Sequence, residues 1–181
     1  LEGLNQLQVN EKIGLTFSQG LRGILRQDPD IIMVGEIRDQ ETAAIAVKAA
    51  NSGHLVLGSL HTNNAVSAVL RLLEMGIEPF LIANSLIAVI AQRLVRRNCP
   101  HCLRRGEQQA HEIIQMTGEA AEAWRGSGCA LCHDIGFKGR AALQEVWLLE
   151  AADRQAIQAR RFEQRLAAGL SFATMREDGL A

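Results

Sequence analysis

The apolar positions of this chain change rhythm as it runs, and each change predicts an element. Leu21, Ile24 and Leu25 recur at helical spacing with Thr16 or Ser18 available as N-cap, and Pro29 ends that pattern. Arg22 and Arg26 share one face of this helix. Ile31, Ile32, Met33 and Val34 then follow without a polar interruption, which predicts a strand covered on both faces, as in a parallel sheet flanked by helices. Asp39 caps an alanine-rich helix over residues 40–51 that Gly53 closes, and a second strand follows over 55–60. A helix-length connection between two apolar strands predicts a right-handed parallel crossover, hence an α/β layer fold.

Asn63 or Asn64 opens a further helix bearing Val66, Val69, Leu70 and Leu73, with Gly76 after its end, and Pro79 opens a longer helix running to about Arg97. Beyond Cys99 the segments become short, charged and glycine-containing, which divides the chain into residues 1–98, a small domain over 99–140 and a mostly helical 141–181.

The chain has 181 residues and 48% hydrophobic content, enough for one core and a small appendage. A net charge of -1 gives no bulk electrostatic reason to expect nucleic acid as a partner. Arginine dominates the cations, with lysine only at 12, 48 and 138, and arginine suits planar recognition of phosphate or carboxylate. The start lacks the basic residues and apolar run of a signal peptide, and no stretch is apolar for the length of a membrane span, so a cytoplasmic location is expected. The chain begins without Met, directly in a strand-like pattern, as expected of a piece of a longer protein.

All four cysteines fall in two knuckles, Cys99-Pro100-His101-Cys102 and Cys129-Ala130-Leu131-Cys132. Two such pairs can set four thiolates tetrahedrally around Zn²⁺, whose binding free energy holds together a module too small to be stable by its core alone. Four sulfurs close the site, so its role is structural. His101 and His133 lie beside the knuckles but find no vacancy. Disulfides are not expected in a cytoplasmic chain.

Both predicted strands end in chemistry. The first delivers Glu36, Arg38 and Asp39, and the second delivers His61, at the carboxyl ends where parallel sheets bind ligands. His54 and His61 are an odd number of positions apart along an extended strand, so they face opposite ways and do not chelate one metal together. Glu36, His61 and arginines on a neighbouring helix suit phosphoryl transfer: a carboxylate orients water, while arginine and imidazole stabilise phosphate charge. The phosphate cradle itself is missing, because a P-loop needs Gly-Lys followed by Ser or Thr and the three lysines precede Ile13, Ala49 and Gly139.

Taken in order, residues 21–30 (Leu-Arg-Gly-Ile-Leu-Arg-Gln-Asp-Pro-Asp), Val34-Gly35-Glu36-Ile37-Arg38-Asp39, Gly53-His54 through His61-Thr62-Asn63, and Gln92-Arg93-Leu94 resemble the secretion ATPase superfamily, in particular the type II secretion system protein E and type IV pilus assembly ATPases. That group also carries a paired-cysteine zinc subdomain placed as here. The resemblance covers about residues 1–150. It implies a partial RecA-like P-loop NTPase core lacking Walker A, with a tetracysteine zinc subdomain and C-terminal helices. It further implies a motor acting as a homo-hexamer, peripheral on the cytoplasmic face of the inner membrane. There it hydrolyses ATP with Mg²⁺ to drive pilin or pseudopilin polymerisation through an inner-membrane platform protein. Glu36 matches the Walker B glutamate, the general base. Gly35 stands where many P-loop enzymes carry a magnesium-linked aspartate. His61 matches the His-box histidine that contacts or senses the γ-phosphate, and Arg22, Arg26 and Arg38 are nucleotide-binding or arginine-finger candidates. Leu57-Gly58-Ser59-Leu60 departs mildly from the family's usual Leu-Ser-Thr-Leu. Without Walker A, this stretch alone is expected to be inactive.

Two other readings stand beside the motor. One is a zinc-stabilised docking module in which Glu36 and His61 are chemically inert. The other, supported only by Arg96-Arg97 and Arg104-Arg105 around the first knuckle, is a zinc-ribbon nucleic-acid binder.

Overall fold

A computed structural model describes residues 3–118, 122–167, 169 and 172–178. The chain divides into two compact units, one formed by Leu1–Ala91 with Glu145–Ala181 and the other by Gln92–Gln144.

In the first unit, helix α1 (Phe17–Ile24) starts where the Thr16 side chain accepts a hydrogen bond from the Gln19 N–H, and a single 3-10 turn carries the chain to Pro29. Strand β1 (Ile31–Val34), helix α2 (Gln40–Asn51) and strand β2 (Leu55–Gly58) form the expected crossover, with β1 and β2 parallel and Ile31 opposite Leu55 through Val34 opposite Gly58. Asp39 caps α2 with both carboxylate oxygens: Oδ1 accepts from the Thr42 N–H at 2.8 Å and Oδ2 from its hydroxyl at 2.9 Å. Gly53 adopts the left-handed φ of 109° that lets the chain reverse into β2. Asn64 caps α3 (Ala65–Glu74) through its single side-chain oxygen, which accepts from both the N–H and the hydroxyl of Ser67.

Burial along β1 corrects the sequence expectation. Ile32 and Val34 are buried while Ile31 and Met33 are 62% and 78% exposed. A continuous apolar run does not by itself require two covered faces; packing partners decide. Among the described residues they lie on one side only, where Ile32 and Val34 join Ala43, Ala46 and Val47 of α2 in the core.

A second correction concerns the helix opened by Pro79. It ends after two turns as α4 (Pro79–Ser85), and the chain continues as strand β3 (Ala88–Asn98). Ser85 returns its hydroxyl to the Leu81 carbonyl at 2.8 Å and Leu86 is already extended. The run from Ile87 to Ala91 fits either period. Its conformation is set by a partner far along the chain, strand β6 (Phe137–Leu148), with which β3 forms a two-stranded ribbon. The bonds Leu149 N–H to Ile87 O and Cys99 N–H to Gly136 O, near opposite ends of the ribbon, make it antiparallel.

Helices α6 (Ala151–Gln158) and α7 (Phe162–Ala167) follow β6. Trp147 is buried between Phe162 and Phe172, with ring centroids 5.7 and 5.6 Å away. Its indole N–H donates to Asp153, a buried carboxylate that also accepts from the Glu150 N–H and pairs with Arg165. Buried polar groups of this kind persist because each one is satisfied. A second buried carboxylate, Glu145, accepts from the Ala65 N–H at the start of α3 and from the Met175 N–H at the start of α8 (Met175–Asp178). Helix N-termini favour such a negative charge.

The second unit contains strands β4 (Leu103–Arg105) and β5 (Trp124–Gly126), paired antiparallel, and helix α5 (Glu107–Thr117). Among its described residues, the buried hydrophobic side chains are Cys99, Cys132 and Ala123. Its backbone is packed tightly: a Cβ on Gly126 would lie 1.8 Å from the Gly136 carbonyl oxygen.

That contact yields a stability prediction. Gly126→Ala forces two backbone segments apart and should cost about 3 kcal/mol or more. Thiol-reactivity kinetics should show all four cysteines of the variant labelling faster than in the wild type; unchanged rates would refute the tight packing.

Candidate functional site

Glu36 and His61 belong to the loops that leave the carboxyl ends of β1 and β2, and the parallel register brings those loops together. Glu36 Oε2 lies 2.5 Å from a guanidinium nitrogen of Arg38, and its Oε1 meets His61 Nε2. The Glu36 side chain is only 14% exposed, whereas Arg38 and His61 are open to solvent. These three groups line an open cleft of about 600 Å³, with Leu60 and, from α3, Arg71 and Met75.

The electrostatics follow from the contacts. The hydrogen bond from Arg38 is the main influence on Glu36, and together with the charge of Arg38 and the contact with His61 it outweighs partial desolvation. Its pKa is therefore held below the usual glutamate value. The carboxylate stays ionised at neutral pH and is aimed by two cation-capable partners. Such a group can accept a proton from water or orient it, and the arginine and imidazole beside it can receive an anion.

The other sequence candidates lie elsewhere. Arg22 on α1 pairs with Glu41 of α2 at 2.8 Å, and Arg26, exposed on the 3-10 turn, does not line the cleft. Because α1 ends at Ile24, the two arginines do not share the one helix drawn from their spacing. His54 stays away from His61, as expected from strand geometry. Its Nδ1 lies 3.0 Å from the Ala49 carbonyl at the end of α2. Arg71 is a cleft residue that pattern reading passed over; its signal is that it is the one charged group inside the apolar spacing of α3 before Glu74, with which it pairs at 3.2 Å.

The four cysteine sulfurs converge, all lying within 4.8 Å of one another. Cys99 to Cys129 and Cys102 to Cys132 are each 3.9 Å, and Cys129 to Cys132 is 3.7 Å. A tetrahedron of sulfurs with metal–sulfur bonds of about 2.3 Å has edges of about 3.8 Å, so the donor set fits a single tetrahedral metal ion. Burial pushes the Cys102 thiol up to about 11. In Cys132, backbone hydrogen bonds from Cys129 and Gly136 overcome burial and bring the thiol down to about 7. Of the arginines flanking the first knuckle, Arg96 sits over the Phe137 ring at 4.0 Å, and Arg105 pairs with Glu122 at 2.9 Å.

No helix among the described residues is long and apolar enough to cross a membrane.

Comparison with known proteins places this geometry. The family model described as type II/IV secretion system protein matches residues 1–181. The chain is 50% identical over 182 residues to type II secretion system protein HxcR of Pseudomonas aeruginosa, covering 99% of this chain and 36% of that protein. It is 49% identical to type II secretion system protein E of Klebsiella pneumoniae, covering 99% of this chain and 37% of that protein. It is 48% identical to the type IV pilus assembly ATPase PilB of Thermus thermophilus, covering 99% of this chain and 21% of that one. Among solved structures, the pilus retraction motor PilT with bound ADP superposes with a TM-score of 0.58 at 28% identity, covering 84% of this chain and 35% of that one. The chain thus spans little more than a third of the type II relatives it matches.

The Glu36 contacts imply a titration. Arg38 and His61 stabilise the ionised Glu36 carboxylate in the fold, so its contribution is complete above the ordinary glutamate range and is lost as pH falls through the lowered pKa. Carbon-detected NMR of the Glu36 carboxyl should give a midpoint below that of exposed glutamates, and Arg38→Ala should raise it. A midpoint at or above the ordinary value would contradict the contact set.

Proposed function

Because this chain belongs to the type II/IV secretion system protein family, we propose that it is the catalytic-site-bearing part of an ATP-hydrolysing motor subunit driving type II secretion or type IV pilus assembly. The observation that carries this reading is the convergence of Glu36, Arg38 and His61 at the carboxyl ends of two parallel strands.

In this reading Glu36 positions and deprotonates the attacking water, while His61 and Arg38 face the terminal phosphate. An arriving phosphate competes with the carboxylate for both donors. Drawing them toward the anion frees the Glu36 oxygens and raises their basicity as the nucleophile is needed. Arg71 is placed to add positive charge from α3. Arg22 and Arg26 remain the arginine-finger candidates; Arg22 must leave Glu41 to act. The one carboxylate among the cleft residues is committed to Arg38 and His61 and Gly35 offers none, so these residues do not form a Mg²⁺ site. ATP binding draws on a phosphate loop this sequence does not contain, so turnover belongs to the complete protein, acting as a homo-hexamer at the cytoplasmic face of the inner membrane with a platform protein.

Cys99, Cys102, Cys129 and Cys132 hold a structural Zn²⁺. The support is the spacing of the sulfurs and the small buried core of the surrounding unit. The ion supplies folding free energy there and takes no part in the reaction.

ATP turnover by the complete protein tests the motor, wild type against Glu36→Gln, with metal analysis of the same samples. Turnover should fall by about 100-fold or more in the variant with folding retained, the usual range for removing a general base. Zinc should be equimolar with the chain and lost in Cys102→Ser. A folded wild type with zinc but no Glu36-dependent hydrolysis, even with its membrane partner, would favour the docking module instead.

A further inference from the structure

The hydrogen-bond ladder between β1 and β2 ends at Val34 opposite Gly58, yet the two loops stay joined beyond it through one residue. Ser59 donates its hydroxyl to the Gly35 carbonyl at 2.6 Å, and its own carbonyl accepts from the Ile37 N–H at 2.9 Å. The residues immediately before and after Glu36 are therefore both tied to Ser59, and His61 lies two positions further along the same loop. Gly58 makes room for this approach: a Cβ there would lie 2.8 Å from Cδ1 of Ile37.

We infer that Ser59 is a positioning residue for the hydrolytic step, whose side-chain hydroxyl fixes the Glu36 backbone so that the carboxylate meets its water and His61 in one geometry. The inference rests on the motor reading and deepens it. Two backbone-directed bonds bracketing a single residue remove most of the freedom of that residue's Cα, whereas the ladder alone leaves the post-strand loop to pivot. The side chain of Glu36 reaches its partners from a fixed base, and a displacement of that base on the order of 1 Å suffices to cost about 100-fold in an oriented reaction. Ser59 touches neither substrate nor the Glu36 carboxylate in this scheme. Its effect falls on the chemical step and not on nucleotide affinity, because orientation of the base matters only once the transition state is approached.

The test compares wild type, Ser59→Ala, Ser59→Thr and Glu36→Gln in the complete protein, each assayed for kcat, KM for ATP, affinity for a non-hydrolysable ATP analogue, and thermal midpoint. Ser59→Ala should lower kcat by about 10- to 100-fold with KM and analogue affinity within about twofold and an unchanged thermal midpoint. Ser59→Thr, which retains the hydroxyl, should restore kcat to within about threefold of wild type. Amide hydrogen exchange across residues 35–37 should accelerate in Ser59→Ala and not in Ser59→Thr, which reports the lost bond independently of activity. If Ser59→Ala keeps wild-type kcat while Glu36→Gln is inactive, the positioning role is overturned and the motor reading stands. If KM or the thermal midpoint carries the whole effect, Ser59 is merely structural and the inference also fails. If Glu36→Gln is as active as wild type, the motor reading fails and takes this inference with it.

Discussion

The four-residue parallel register of β1 on β2, from Ile31 opposite Leu55 to Val34 opposite Gly58, is the constraint on which the candidate site depends. A shift of one residue would exchange the buried and exposed faces of β1, putting Ile31 and Met33 where Ile32 and Val34 now pack. It would also move Glu36 away from His61. The register is held from below by the core, where only one phase buries Ile32 and Val34 against α2. From above it is held by the paired bonds of Ser59 to the Glu36 loop. Packing energy and hydrogen-bond geometry therefore select the same alignment, and the carboxylate that results is ionised, largely covered and met by a guanidinium and an imidazole.

The second unit solves a different problem. Among its described residues Leu94, Val95, Leu103, Ile114 and Leu131 are all substantially exposed, and its buried apolar side chains are two cysteines and an alanine. Apolar burial of that size does not offset the conformational entropy of ordering a chain of this length. The sulfur cluster sits where a core would be, and the knuckle backbones are knit around it, with Ser127 donating its N–H to the Cys102 carbonyl and Cys99 donating to that of Gly136. The approach of Gly126 to Gly136 shows how little side-chain volume that packing admits.

Much of this was legible beforehand because it is local. Asp39 and Asn64 cap the helices their spacing implies, Gly53 and Gly76 take left-handed conformations just after helices, and the strand, helix, strand unit is parallel as its connection length requires. The cysteine spacing likewise announced the sulfur cluster. What failed was what depends on distant partners. Nothing within residues 86–98 distinguishes a continuing helix from a strand; β6, some fifty residues later, makes that choice by supplying a ladder. Nor does an apolar run state how many of its faces find cover.

The site divides along the same line. Sequence alone singled out the candidate groups: a carboxylate and an arginine after one strand, a histidine after the next, four cysteines in matched pairs and no phosphate loop in this stretch. Those are matters of residue identity and short-range spacing, which the chain carries with it whether folded or not. Only the tertiary structure decided that Glu36, Arg38 and His61 share one cleft while Arg22 turns to Glu41, that Arg71 joins them, and that Ser59 ties down the loop. Each of these is a meeting of segments separated by intervening elements. Such meetings are set by strand register and by which faces pack, quantities that no local pattern contains.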